Sequence, residues 1–172
     1  MKFAAIDFET ANRSPNSACA IGVVRVEDNQ IVRRTHSLIC PPDNYFEFTY
    51  VHGLTWRDVC KSPTFGQFWA SIAETIAGVD FLVAHNARFD RNVLLSCCDA
   101  HQISINQIDW LCTVKVARKT WGISPTKLSD VCTRLSIDLN HHEALSDAEA
   151  CANILIQAQG LLGEKIDYKS FL

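Results

Sequence analysis

The segment that most constrains the fold is Cys19 to Val26, Cys-Ala-Ile-Gly-Val-Val-Arg-Val, which is apolar almost without interruption. A half-buried strand alternates apolar and polar residues, whereas a near-continuous apolar run suits a strand buried on both faces. Phe3 to Thr10 (Phe-Ala-Ala-Ile-Asp-Phe-Glu-Thr) is a second such run and ends in two acids. Asp28-Asn29 is a turn signal, and Ile31 to Ile39 reads as a return strand. Its Arg33, Arg34, Thr35 and His36 place it at or near a sheet edge.

Beyond Pro41-Pro42 the pattern changes. The stretch to Lys61 reads as irregular; its Tyr45, Phe46, Phe48, Tyr50 and Trp56 are assigned mainly to packing, with base stacking as the alternative. Thr64 and Gln67 have capping-box spacing and open a helix to about Ala77, with Phe65, Phe68, Trp69, Ile72 and Ile76 as its apolar stripe. Gly78 ends it, and Phe81 to Ala84 is a short buried strand. His85 to Asp90 leads into a helix with Val93, Leu94, Cys97 and Cys98 inside. Ile108 to Leu111 is a further strand, followed by helices near Thr113–Thr120 and Lys127–Leu135. Ser146 and Glu149 have capping-box spacing for a last helix to Gln159, with Gly160 marking its end.

Three strands followed by alternating helices and strands make an α/β fold with a mixed sheet. The 172 residues, 48% of them hydrophobic, are expected to form a single domain over 1–172 without a separate tail domain. A formal net charge of −3 argues against a broad electrostatic nucleic-acid binder, but not against an enzyme that grips one strand end. There is no signal-peptide pattern and no run of membrane-spanning length, and the 8 cysteines never form C-x-x-C. The expected setting is cytoplasmic, with reduced thiols.

Alternation along a strand points Asp7 and Glu9 to the same side. Two carboxylates leaving a buried strand repel each other and resist desolvation unless a cation lies between them. Hard cations such as Mg²⁺ take such oxygen ligands. Taken alone, the stretch is equally a solvated strand end. Asp90 and Asp147 open helices, where the dipole favours an ionised carboxylate; the ordinary alternative is a first-turn acid and nothing more. His142, five residues before Asp147, has the chemistry of a general base. The alternative is a surface loop histidine, like its neighbour His141.

Together, Asp7-Phe8-Glu9-Thr10, His85-Asn86-Ala87-Arg88-Phe89-Asp90 and His142-Glu143-Ala144-Leu145-Ser146-Asp147-Ala148 resemble, in order and spacing, the three motifs of the DnaQ-like, DEDDh-type 3′-5′ exonucleases. The resemblance runs from Phe3 to about Gln159 and includes Val51-His52-Gly53-Leu54-Thr55. It implies an RNase H-like fold, a five-stranded mixed sheet flanked by helices. It also implies release of nucleoside 5′-monophosphates from the 3′ end of DNA, with RNA as a close variant. Asp7, Glu9, Asp90 and Asp147 would hold two divalent cations, Mg²⁺ or Mn²⁺, and His142 would be the base. Thr10, Glu47, His52, Leu54, Asn86 and Phe89 would contact the terminal nucleotide of a single-stranded or frayed end. A polymerase partner is compatible with this resemblance. The alternative function is a non-catalytic end-binding or polymerase-associated scaffold on the same fold.

Overall fold

The computed structural model describes residues 1–163 and Tyr168. The strands are β1 (Lys2–Thr10), β2 (Ala18–Glu27), β3 (Gln30–Leu38), β4 (Phe81–Ala84) and β5 (Asp109–Cys112). The helices are α1 (Thr49–His52), α2 (Trp56–Val59), α3 (Phe65–Ile76), α4 (Arg88–Ala100), α5 (Thr113–Trp121), α6 (Leu128–Leu135) and α7 (Ala144–Leu162).

The five strands form one mixed sheet in the order β3-β2-β1-β4-β5. β1, β2 and β3 pair antiparallel, while β4 and β5 run parallel to β1. The polar β3 is an edge strand, and the apolar β2 is almost wholly buried, both as their compositions require. Alternation sorts the side chains into two cores. Phe3, Ala5, Val24, Val83 and Leu111 meet α5, α6 and α7 on one face. Ala4, Ile6, Ile21, Val23 and Leu82 meet α3 and α4 on the other. Each fully buried Val, Leu or Ile contributes about 1.5–3 kcal/mol over leaving it in water, so this double cover is the main stabilising term.

The expected Thr64–Gln67 capping box is present and starts α3. Three expectations are corrected. The last helix begins at Ala144, not after Ser146, and runs past Gly160 to Leu162. Glu143 is its cap: the carboxylate folds back to accept from the Ser146 amide at 3.1 Å, while the Ser146 hydroxyl accepts from the Asn140 amide at 2.8 Å. Gly160 faces open space and needs no special conformation there. The irregular stretch before Lys61 holds two short helices, α1 and α2, the second opened by a Thr55–Asp58 capping box. Phe46 and Trp56 pack as expected, in a small cluster around Ala11, Cys19 and Val59. Tyr50, however, is 82% exposed. The stretch following α7, expected to hold no separate domain, lies outside the described residues apart from Gly163 and Tyr168.

Candidate active site

Asp7 and Glu9 continue the Phe3–Ala5 side of β1, the side that α7 covers. α7 can lie close because its first half is built from small residues (Ala144, Ala148, Ala150, Cys151 and Ala152). It also crosses Gly22, the β2 partner of Asp7. A Cβ on Gly22 would sit 2.3 Å from the Ala144 carbonyl oxygen, so only glycine permits this approach. Asp147, in the first turn of α7, is thereby set against the two strand acids: carboxylate oxygens of Asp7, Glu9 and Asp147 all lie within 4.8 Å of one another.

Asp90 arrives from the opposite face of the sheet, at the start of α4. It is 1% exposed, and its Oδ1 accepts from the Phe8 amide at 3.1 Å, which locks the helix start to the end of β1. Burial and, next, the Asp90, Asp147 and Glu9 charges push the Asp7 carboxyl well above the usual carboxylate range. Burial raises Asp90 strongly as well, against the Phe8 amide, which lowers it. Burial and the Asp147 charge push Glu9 up to about 8. Asp147 is raised by burial and lowered by the neighbouring histidines. Four carboxyls that burial raises, crowded into one corner, are an unstable arrangement for an empty site and a suitable one for a divalent cation. A second observation agrees: Asp147 Oδ1 is buried without any hydrogen-bond partner.

The acids open into a cleft of about 370 Å³, lined by Asp7, Glu9, Thr10, His52, Phe89, His141, His142 and Asp147 among others. His141 Nδ1 lies 3.0 Å from Asp147 Oδ2, which also accepts from the His142 amide at 3.2 Å. The two imidazoles stack with centroids 3.8 Å apart. His142, at φ +68°, holds its ring at the cleft without a hydrogen bond among the described residues. Burial and the His141 charge lower its pKa from the ordinary value.

The expected nucleotide contacts divide. Thr10, His52 and Phe89 line the cleft with the acids. Both ring nitrogens of His52 are engaged: Nδ1 accepts from the Leu54 amide at 3.1 Å, leaving Nε2 to donate to the Thr10 carbonyl at 3.2 Å. His52 thus fastens α1 to the end of β1. Leu54 lines a neighbouring cavity of about 540 Å³ that shares Glu9, His52 and the two histidines with the cleft. Asn86, at φ +65°, lies on the outer side of Phe89. Glu47 lines neither cavity and is held by Arg13, Oε1 to Nη2 at 2.9 Å.

Sequence reasoning missed Tyr50, Val51, His85 and Leu128 as walls of the cleft. His85 carried a signal in its position, directly after β4. Its Nε2 donates to the Thr126 carbonyl and its Nδ1 accepts from the Thr113 hydroxyl, each at 2.8 Å, tying the β4 end to α5 and the loop before α6.

The sheet order, with antiparallel β1–β3 and parallel β4 and β5, is that of the RNase H-like fold. The structure superposes on Exonuclease X in complex with 5′ overhanging duplex DNA (TM-score 0.75, 23% identity, 98% of this chain and 96% of the other). It superposes equally on the nuclease domain of 3′hExo, a DEDDh family member, bound to rAMP (TM-score 0.75, 20% identity, 96% and 94%). The RNase_T family model, described as Exonuclease, matches residues 4–155. The chain therefore belongs to the exonuclease family. Exodeoxyribonuclease 10 of Escherichia coli is 30% identical over 92% of this chain and 69% of the relative. The DNA polymerase III PolC-type protein of Clostridium perfringens is 30% identical over 96% of this chain, which spans only 12% of that protein.

Proposed function

We propose that the chain removes nucleoside 5′-monophosphates one at a time from the 3′ end of a DNA strand. The observation that carries this is the convergence of Asp7, Glu9 and Asp147 within 4.8 Å at the floor of the cleft, with the buried Asp147 Oδ1 left unpaired. Asp7, Glu9, Asp90 and Asp147 would hold two Mg²⁺ or Mn²⁺ ions. Bound there, the ions supply positive charge against the scissile phosphate and acidify the attacking water.

His142 takes the proton. Its imidazole is unpaired at the cleft, whereas His141 is tied to Asp147. The water oxygen bonds to phosphorus and the P–O3′ bond breaks. The O3′ left on the shortened strand takes a proton from solvent water to become its hydroxyl, His142 returns its proton to solvent, and the phosphate leaves on the released nucleotide. Thr10 and Phe89 stand at the cleft wall where the terminal nucleotide would lie, and His52 holds that wall in place. The volume is at the small end of the range for small-molecule pockets, which suits one nucleotide. The 30% identical Exodeoxyribonuclease 10 supports DNA as the substrate. The PolC match supports a polymerase partner, tested by retention of a purified polymerase on the immobilised chain. Among the described residues no helix is long and apolar enough to cross a membrane, and the 8 cysteines are free thiols, which suits work in the cytoplasm.

The test is incubation with 5′-labelled DNA and RNA strands in Mg²⁺, Mn²⁺ or EDTA, beside Asp7→Asn. A ladder shortening from the 3′ end, lost in EDTA and in the variant, is expected with DNA. No shortening of either strand, or shortening that survives Asp7→Asn, refutes the reading.

A further inference from the structure

Phe89 belongs to two surfaces. One side lines the cleft, and the other begins an open groove of about 450 Å³ along the outer face of α4. Arg88, Arg91, Asn92 and Leu95 line this groove and fall at i, i+3, i+4 and i+7, one stripe of the helix. The opposite stripe, with Asp90, Val93, Leu94, Cys97 and Cys98, is buried. Arg13, Arg25, Arg33 and Arg34 are each ion-paired to a glutamate. Among the described residues the guanidinium groups of Arg88 and Arg91 have no acidic partner and no hydrogen bond, although both residues are exposed on a chain of net charge −3.

We propose that this groove holds the phosphates of the nucleotides immediately 5′ of the bond that is cut, in a single strand. The inference rests on the exonuclease reading. A cleft floored by carboxylates repels a polyanion, so a strand entering it needs fixed positive charge at the rim. Arg88 and Arg91 supply that charge from the same first turn of α4 that carries Asp90, and their Cβ atoms stand about 5–6 Å apart, as i, i+3 neighbours do. Phe89, 44% exposed between cleft and groove, offers a stacking face to the base that follows the terminal nucleotide. Guanidinium groups meet phosphates with paired donors, and exposed asparagines add neutral ones, a combination that tracks a backbone without reading bases.

The test is the double variant Arg88→Ala/Arg91→Ala, with Arg88→Lys/Arg91→Lys as the charge-keeping control. Both positions are exposed, so the fold is unaffected, which a melt checks. Binding of fluorescein-labelled thymidylate strands, dinucleotide and twelve-nucleotide, is measured by anisotropy in EDTA across a salt series, so that no strand is cut. For the longer strand, losing two phosphate contacts should flatten the slope of log Kd against log salt by about 1.4. The extra weakening between 50 and 200 mM salt is then roughly sevenfold smaller than in the unaltered protein. The dinucleotide should change less than about twofold, and the lysine control should keep the steep slope.

An unchanged slope overturns the proposal. So does an equal loss on both lengths, which would put the arginines on the terminal nucleotide. Cleavage by the unaltered protein in Mg²⁺, run alongside, decides the exonuclease reading independently: shortening with an unchanged slope in the variant sinks the groove alone. Absence of shortening sinks the reading alone, because the EDTA slopes still report on the arginines.

Discussion

Gly22→Ala tests whether the approach of α7 to the sheet assembles the site. The new Cβ would lie 2.3 Å from the Ala144 oxygen and 2.5 Å from the Ala144 carbonyl carbon and Leu145 Cα. These are backbone atoms and cannot rotate away. Ordinary contact begins near 3.4 Å, so the first turn of α7 has to withdraw by about 1 Å. Asp147, in that turn, then retreats from Asp7 and Glu9. Overpacking of this kind costs about 1–3 kcal/mol, or roughly 2–12 °C in Tm for a domain of this size, which leaves the protein folded in the assay. A misplacement of about 1 Å costs roughly 100-fold in rate. The assay is 3′ shortening of labelled DNA across a Mg²⁺ titration, beside a melt followed by circular dichroism. The expected result is a kcat about 100-fold lower and a metal midpoint moved to higher concentration. A Gly22→Ala protein that cuts within about twofold of the unaltered rate, at the same midpoint, refutes the reasoning. Gly160→Ala is the control: its Cβ would meet nothing within 4 Å, so activity should be unchanged and stability higher by about 0.5–1 kcal/mol.

The remaining predictions concern the acids and the histidines. Asp7→Asn should abolish cleavage yet melt at or above the unaltered temperature in EDTA, because it removes a buried carboxylate from a repelling group; a lower Tm in EDTA contradicts this. Without metal, stability should fall as pH rises. Folded Glu9 titrates at about 8 and Asp7, Asp90 and Asp147 are also raised, whereas unfolded carboxyls titrate near ~4. The folded state therefore binds the extra protons, and its advantage, complete below the unfolded value, is lost through about pH 8. Melts in EDTA from acid to mildly alkaline pH should decline and Mg²⁺ should remove the decline; a flat EDTA profile contradicts the electrostatics. His142→Ala should lower kcat by about 10²–10⁴ with an unchanged metal midpoint. His141→Ala should instead shift the midpoint, since its ring touches Asp147; the reverse pattern exchanges the two roles.

The parts of the fold legible in the sequence are those whose surroundings repeat with a short period. β2 is apolar on both faces because helices cover both, and β3 is polar because it is an edge. The shared face of Asp7 and Glu9 follows from strand alternation alone. α1 and α2 were hidden because four residues are too short to show a helical stripe, although Thr55 and Asp58 marked the second. The start of α7 was misplaced because Ser146 and Glu149 imitate a capping box, while Glu143 is long enough to reach the Ser146 amide itself. Tyr50, His85 and Leu128 reach the cleft through loops and packing between distant elements, which no local period records. Glu47 lines neither cavity, and its partner Arg13 lies 34 residues earlier, a pairing that no local period records either.

The position of β1 in the sheet has a kinetic side. β1 precedes the other four strands in chain order yet lies at the centre of the sheet, and it pairs Phe3 with Phe81 while Asp7 and Glu9 wait for Asp147. Contacts of such sequence separation close slowly and form only once the chain from Asp7 to Asp147 has been made. The acids therefore cannot gather on a chain that stops short of α7, and such a chain lacks the three-carboxylate cluster. The order in which the strands are threaded makes completion of the fold the event that switches the nuclease on.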